Sequence, residues 1–144
     1  MAPPDKSPMT GINWKRVSIA GVAMEVLYIF FVLVILGSAA AANAVPGLIG
    51  VFLLMFIGGY WAAGKSGSGS LQTRALMGAV NGILVGIVAV GLYDLIVIVG
   101  STVRGAETQI PVFGLNHALK VIGGATGGLV CGARPLSSIV GRHE

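Results

Sequence analysis

Four long apolar segments, nearly free of charged residues, constrain the fold of this chain more than any other feature. We place them at residues 17–42, 48–64, 75–100 and 112–131. A helix that crosses a lipid bilayer needs about 20 mostly apolar residues. The segments therefore predict an all-α, polytopic membrane protein, although the second segment is at the short end of the range. Its membrane domain, residues 17–133, is then a four-helix transmembrane bundle.

The charge content is too low for an ordinary soluble domain. Only 10% of the 144 residues are charged and 55% are hydrophobic, whereas a soluble domain carries roughly 25% charged residues. The single cysteine, Cys131, offers neither a disulfide framework nor a metal cluster. The first apolar segment is longer than the core of a signal peptide, which has roughly 7–15 residues. We therefore expect this segment to remain in the protein as its first span.

The basic residues indicate how the chain is oriented. Four spans place the tails, residues 1–16 and 134–144, on the same side of the membrane as the loop between the second and third spans. Most of the Lys and Arg residues lie on that side: Lys6, Lys15, Arg16, Lys65, Arg74, Arg134 and Arg142. Only Arg104 lies in the loops of the other side. Because positively charged loops stay in the cytoplasm, we predict cytoplasmic termini in the cell membrane. We expect no nucleic-acid partner.

One motif suggests a nucleotide site. The segment "GYWAAGKS", residues 59–66, matches the phosphate-binding pattern Gly-x-x-x-x-Gly-Lys-Ser. A working loop of this kind follows a buried parallel strand and opens a helix, whereas these residues end an apolar span. We therefore expect no nucleotide here. In this interpretation Gly64 ends the helix and Lys65 extends its ammonium group to the membrane interface.

Glycines recur at four-residue spacing in the last two segments. They are Gly78, Gly82 and Gly86 in the third segment and Gly123, Gly124, Gly127 and Gly128 in the fourth. Small residues at this spacing let two helix backbones approach closely in lipid. The pattern predicts glycine-mediated helix packing, either between the two helices of one hairpin or between subunits.

Polar residues inside the apolar segments are the candidate site residues. They are Glu25, Asp94, Asn116, His117 and Lys120. A charge in the bilayer centre is costly and usually faces a partner inside the bundle. Asp94 and Lys120 have similar estimated depths on neighbouring spans, and this similarity predicts an ion pair between them. For Glu25 we expect either a protonated acid, hydrogen-bonded to backbone or to Asn81, or a site for a proton or cation.

The fourth span carries its polar and small residues on a single stripe of the helix. This stripe either lines a pathway or forms a structural clamp that fixes helix register. His117 is a weak candidate for an axial ligand of haem or chlorophyll. We predict no catalytic, metal or other cofactor site, because no spacing of a nucleophile, a base and an orienting group is present.

The segment "IGGYWAAGKSGSGSLQTRALMGAVNGILVGIV", residues 57–88, and the later "IGGATGGLVCGAR" resemble a known pattern. The pattern belongs to small glycine-rich four-span prokaryotic membrane proteins of uncharacterised function, and the similarity covers about half of the chain. It implies a four-helix membrane bundle and no particular activity.

Two functions fit these features. The first is an accessory or structural subunit of a larger membrane complex, and the chain's partners are then lipid and other membrane subunits. The alternative is a small homo-oligomeric transporter or channel that uses Glu25, Asp94, His117 and Lys120. We expect no enzymatic activity in either case.

Overall fold

The computed structural model describes residues 12–37, 45–64, 69–105 and 114–134, and all of its regular structure is helical. Its helices are α1 (Trp14–Phe30, continued by a π-helical segment, Phe31–Leu36), α2 (Val45–Ala63), α3 (Leu71–Val103) and α4 (Leu115–Gly132). The prediction of an all-α chain with long apolar helices is confirmed. Three helical stretches are long and apolar enough to cross a membrane: Trp14–Leu36, Val45–Ala63 and Leu71–Val103.

Local hydrogen bonds determine where the helices begin and end. The Asn13 side chain caps α1 by accepting a hydrogen bond from the backbone N–H of Arg16, at 3.2 Å. Ser70 caps α3 by accepting from the N–H of Thr73, also at 3.2 Å. A capping oxygen satisfies one of the N–H groups that have no partner in the first helical turn. After the π-helical segment, Gly37 has a φ of 46° and ends the helix.

The helix bounds differ from the predicted spans. The segment 43–47 was expected to turn the chain, but Val45, Pro46 and Gly47 belong to α2. Proline is tolerated in a first helical turn because its missing N–H would have no helical partner there. Helix α3 extends beyond 75–100 at both ends, since its cap lies at Ser70. Residues 43 and 44 lie outside the described residues.

The nucleotide-like motif lies at the end of a helix. Residues 59–63 belong to α2, so this part of the motif has helical backbone and not the loop that would surround a phosphate group. Gly59 instead lies against α4, and a Cβ atom at this position would overlap the carbonyl oxygen of Gly124. Lys65 and Ser66 lie outside the described residues.

Helix α4 lies between α2 and α3 and approaches both backbones closely. A Cβ atom at Gly82 would overlap the carbonyl oxygen of Gly124, and one at Gly78 would overlap that of Gly128. On the other side of α4, Gly127 lies equally close to the carbonyl oxygen of Phe56 in α2. The glycines of α4 therefore contact two helices of the same chain. Side chains at these positions would push the backbones apart.

Helix α4 has two clearly different faces. Its polar and small side is buried, and this side includes His117 and Lys120 as well as the glycines. Many large apolar side chains of the bundle point outward, and Leu33 and Val103, for example, are 70% and 80% exposed. Met55 is fully buried with other apolar residues, so the bundle also has an apolar core. The arrangement still differs from that of a soluble protein, because Lys120 lies inside and many large apolar groups lie outside.

Candidate functional site

A group of polar side chains lies between α1, α3 and α4, and we call it the polar cluster. It consists of Glu25, Tyr28, Tyr93, Asp94, Asn116, His117 and Lys120. All five predicted site residues belong to it. Helix α1 contributes Glu25 and Tyr28 from one face, since they are three residues apart. The other members come from α3 and α4, so the cluster connects three helices.

An ion pair without solvent access forms the centre of the cluster. The Nζ atom of Lys120 lies 2.8 Å from each carboxylate oxygen of Glu25 and donates a hydrogen bond to Oε1. Both side chains are 0% exposed. A buried charge is tolerated only when a partner of opposite sign satisfies it. The pair therefore holds α1 against α4.

Two aromatic rings complete the surroundings of the ammonium group. The Nζ atom of Lys120 lies 4.2 Å from the ring centroid of Tyr93 and 5.5 Å from that of Tyr28. The negative face of an aromatic ring attracts a cation, most strongly where water is excluded. The hydroxyl of Tyr28 also accepts a hydrogen bond from Nδ2 of Asn116, at 2.7 Å. These contacts fix the lysine side chain from several sides.

A second pair lies nearer the end of the bundle where α3 ends. Nε2 of His117 lies 2.9 Å from Oδ1 of Asp94, and Nδ1 of His117 accepts from the backbone N–H of Gly114 at 3.3 Å. Because Nδ1 is the acceptor, Nε2 carries the proton and donates a hydrogen bond to the carboxylate of Asp94. The Asp94 side chain is 32% exposed, whereas that of His117 is 7% exposed. The pair thus connects the surface to the buried part of the cluster.

The predicted Asp94–Lys120 ion pair is wrong. A Cβ atom at Gly86 would lie 2.7 Å from the carbonyl oxygen of Lys120, and this contact sets the register between α3 and α4. Asp94 lies eight residues further along α3, which is about 12 Å. It therefore meets His117 near the start of α4. Glu25, which we expected to be a protonated acid or a site for a proton or cation, takes the place of Asp94 beside Lys120.

Sequence reasoning also missed two members of the cluster. Tyr28 lies on the same face of α1 as Glu25, and this spacing could have identified it. Tyr93 precedes Asp94 directly, and only the packing of α3 against α4 shows that its ring meets Lys120 and His117. The ring centroids of Tyr93 and His117 are 5.6 Å apart, in an edge-on arrangement. Asn81 contacts the start of α1 instead of Glu25, because its Oδ1 accepts from the backbone N–H of Asn13.

The chemistry of the cluster is that of internal pairing. Both ring nitrogens of His117 are occupied by hydrogen bonds, so the geometry does not offer this residue as an axial ligand. No group of three or more His, Cys, Asp or Glu residues that could hold a metal ion occurs within the described ranges.

No family model, curated protein or solved structure matches this chain. Its resemblance to the small glycine-rich four-span proteins therefore stays a prediction.

Proposed function

We propose that this chain is an integral protein of the cell membrane with four spanning helices and cytoplasmic termini. Three helical stretches are long and apolar enough to cross. The fourth, α4, is less apolar, but its polar and glycine face is covered by the other helices and its outward residues include Leu115, Ile122 and Leu129. Lipid can therefore surround the bundle while the charges of Glu25 and Lys120 inside it face protein.

We further propose that the protein is a structural, accessory subunit of a larger membrane complex and not an enzyme. The observation that carries this proposal is the complete burial of Glu25 and Lys120 against each other. A charged residue that binds the transported species in a pathway must be able to replace its protein partner by water or substrate. Here the two charges face each other and no solvent reaches either one, which is the arrangement of a clamp between helices.

The outward faces support the same role. Exposed apolar side chains cover α1, α2 and α3 over their whole lengths. In a bilayer such surfaces are open to lipid and to the helices of other membrane proteins. A small bundle with a rigid glycine-packed centre can present these faces without losing its own fold.

Co-purification from the native membrane tests the proposed role. The protein is extracted in mild detergent through a C-terminal tag, and the co-purifying proteins and their ratios are determined. We expect other membrane proteins at a fixed ratio to this chain. An unrelated membrane protein with the same tag is the control for adventitious capture. Recovery of this chain alone, as a homo-oligomer, would contradict the accessory role.

The partial exposure of Asp94 favours a second function. From this carboxylate the cluster continues inward through His117 and Tyr93 to Lys120 and Glu25. Chains of Asp, Glu and His inside membranes are typical of proton relays. In a transporter or channel, Asp94 would be the entrance of the pathway and Glu25 its innermost group.

Flux measurements separate the two functions. We expect proteoliposomes containing the wild-type protein to pass protons and monovalent cations at the rate of empty liposomes, because the ion pair is closed. The Asp94→Asn variant, which keeps the size of the side chain, is then indistinguishable from wild type. Flux that is well above that of empty liposomes and is abolished by Asp94→Asn would establish the transport function instead.

A further inference from the structure

The cations at one end of the bundle have no acidic partners in the described structure. The end where α1 and α3 begin and where α2 and α4 end carries Lys15, Arg16, Arg74 and Arg134, and we call it the basic end. Gly132 of α4 packs against the carbonyl oxygen of Arg74, which brings the end of α4 to the first turns of α3. Within the described ranges the acidic residues are Glu25 and Asp94, and both are engaged in the polar cluster.

Arg74 is the most unusual of these residues. Its side chain belongs to the buried set, with 9% of the residue exposed, and its Nε atom is buried without a hydrogen-bond partner. No hydrogen bond or ion pair reaches its guanidinium group from any residue that the structure describes. A buried guanidinium N–H without an acceptor is costly, and an anion can supply the missing acceptor. The geometry therefore calls for an anion beside Arg74.

Two further guanidinium groups belong to the same end of the bundle, each over an aromatic ring of α2. Arg16 lies over the ring of Trp61, 5.2 Å from its centroid, and Arg134 lies over the ring of Tyr60 at 4.8 Å. Arg16 also donates to the carbonyl oxygen of Trp61, at 3.4 Å. The ring contacts hold the two planar groups at this end, and a guanidinium group can bind phosphate oxygens through two parallel hydrogen bonds. The N-terminus of the long helix α3 adds partial positive charge near Arg74.

We propose that the basic end binds the phosphate headgroup of an anionic phospholipid, with Arg74 as its central contact and Arg16 and Arg134 at its sides. This inference rests on the proposed insertion in the membrane, since the acyl chains then lie along the exposed apolar faces of the bundle. Basic pockets between membrane helices on the cytoplasmic side are known to suit anionic headgroups. Aromatic side chains such as Trp61 and Tyr60 are common at the same depth.

Native mass spectrometry of the full chain in mild detergent tests the proposal. The protein is titrated with phosphatidylglycerol and with phosphatidylcholine that has the same acyl chains. We expect one phosphatidylglycerol to bind roughly tenfold more tightly than phosphatidylcholine. The Arg74→Gln variant loses most of this preference. The Arg104→Gln variant removes one positive charge at the opposite end of the bundle and retains the preference for phosphatidylglycerol.

Several outcomes would overturn the inference. One is equal affinity of the wild-type protein for both lipids, and another is an equal loss of the phosphatidylglycerol preference in Arg104→Gln. A third is displacement of the lipid by millimolar inorganic phosphate, which would indicate a site for soluble anions. If Arg74→Gln does not fold, Arg16→Gln and Arg134→Gln take its place, and an unchanged preference in both contradicts the proposal. Flotation with vesicles tests insertion separately. A protein that inserts but shows no lipid preference contradicts only this inference, whereas one that fails to insert contradicts the proposed function.

Discussion

Replacing Lys120 with methionine is expected to lower the free energy of unfolding by about 3–5 kcal/mol, because the Glu25 carboxylate is then left buried without a partner. Methionine is unbranched and one atom shorter than lysine, so it leaves little empty space. The loss therefore reports mainly the charge and its contacts with Tyr28 and Tyr93. Unfolding in mixed micelles, followed by tryptophan fluorescence or circular dichroism, measures the change.

The double variant Glu25→Leu with Lys120→Met provides the matched test. When both charges are removed together no unpaired group remains, so we expect most of the lost stability to return. Lys15→Met removes an exposed lysine from the start of α1 and serves as the control, with an expected change below about 0.5 kcal/mol. A Lys120→Met variant as stable as the wild-type protein would show that the ion pair does not hold α1 against α4.

Replacing Gly82 with valine is expected to cost at least about 3 kcal/mol, at the upper end of the usual cost of overpacking. Its Cβ atom would overlap the carbonyl oxygen of Gly124. A backbone group cannot rotate away as a flexible side chain can, so α3 and α4 must separate. Loss of compact protein in size-exclusion chromatography, together with a lower melting temperature in detergent, measures this effect.

Gly91 is the matched control on the same helix. A Cβ atom at this position has no neighbouring atom within 4 Å, so valine meets open space. We expect Gly91→Val to change the stability by less than about 1 kcal/mol, since valine forms a helix at least as well as glycine. If Gly82→Val and Gly91→Val behaved alike, the close approach of α3 and α4 at Gly82 would be refuted.

The helices were predictable because their signals lie within single stretches of sequence. A run of apolar residues needs internal backbone hydrogen bonds in lipid, and a helix satisfies all of them. The bounds were harder to predict, since the cap at Ser70 and the helical start at Val45 depend on local hydrogen bonds that hydropathy does not register. Helix α2 begins three residues before the predicted second span, and α3 begins four residues before the predicted third span.

The membership of the polar cluster was predictable, but its pairing was not. Each of the five polar residues is conspicuous in an apolar segment. Which of them meet depends on the axial register between helices, and the close contacts at Gly82 and Gly86 set that register. Depth estimates counted from predicted span ends carry an error of several residues, and one helical turn decides whether Lys120 meets Asp94 or Glu25. Tyr28 and Tyr93 were not predicted as members of the cluster, because aromatic residues are also common in membrane helices as anchors at the interface.

The Asp94–His117 pair and the Glu25–Lys120 pair have different surroundings, and this difference supports the proposed structural role over the relay. The first pair is partly exposed and the second is sealed. A relay needs each group to change partners, whereas a clamp needs each group to keep its partner. The two aromatic rings around Lys120 favour the clamp, because they stabilise the ammonium group where it lies.

The most direct test of this account is to extract the Glu25→Leu, Lys120→Met double variant from the native membrane beside the wild-type protein and determine what co-purifies with each. The account predicts the same membrane proteins at the same ratio for both, because the buried charges only hold the bundle together. A double variant that is folded and inserted but has lost those partners would contradict it and would place the buried pair in the function itself.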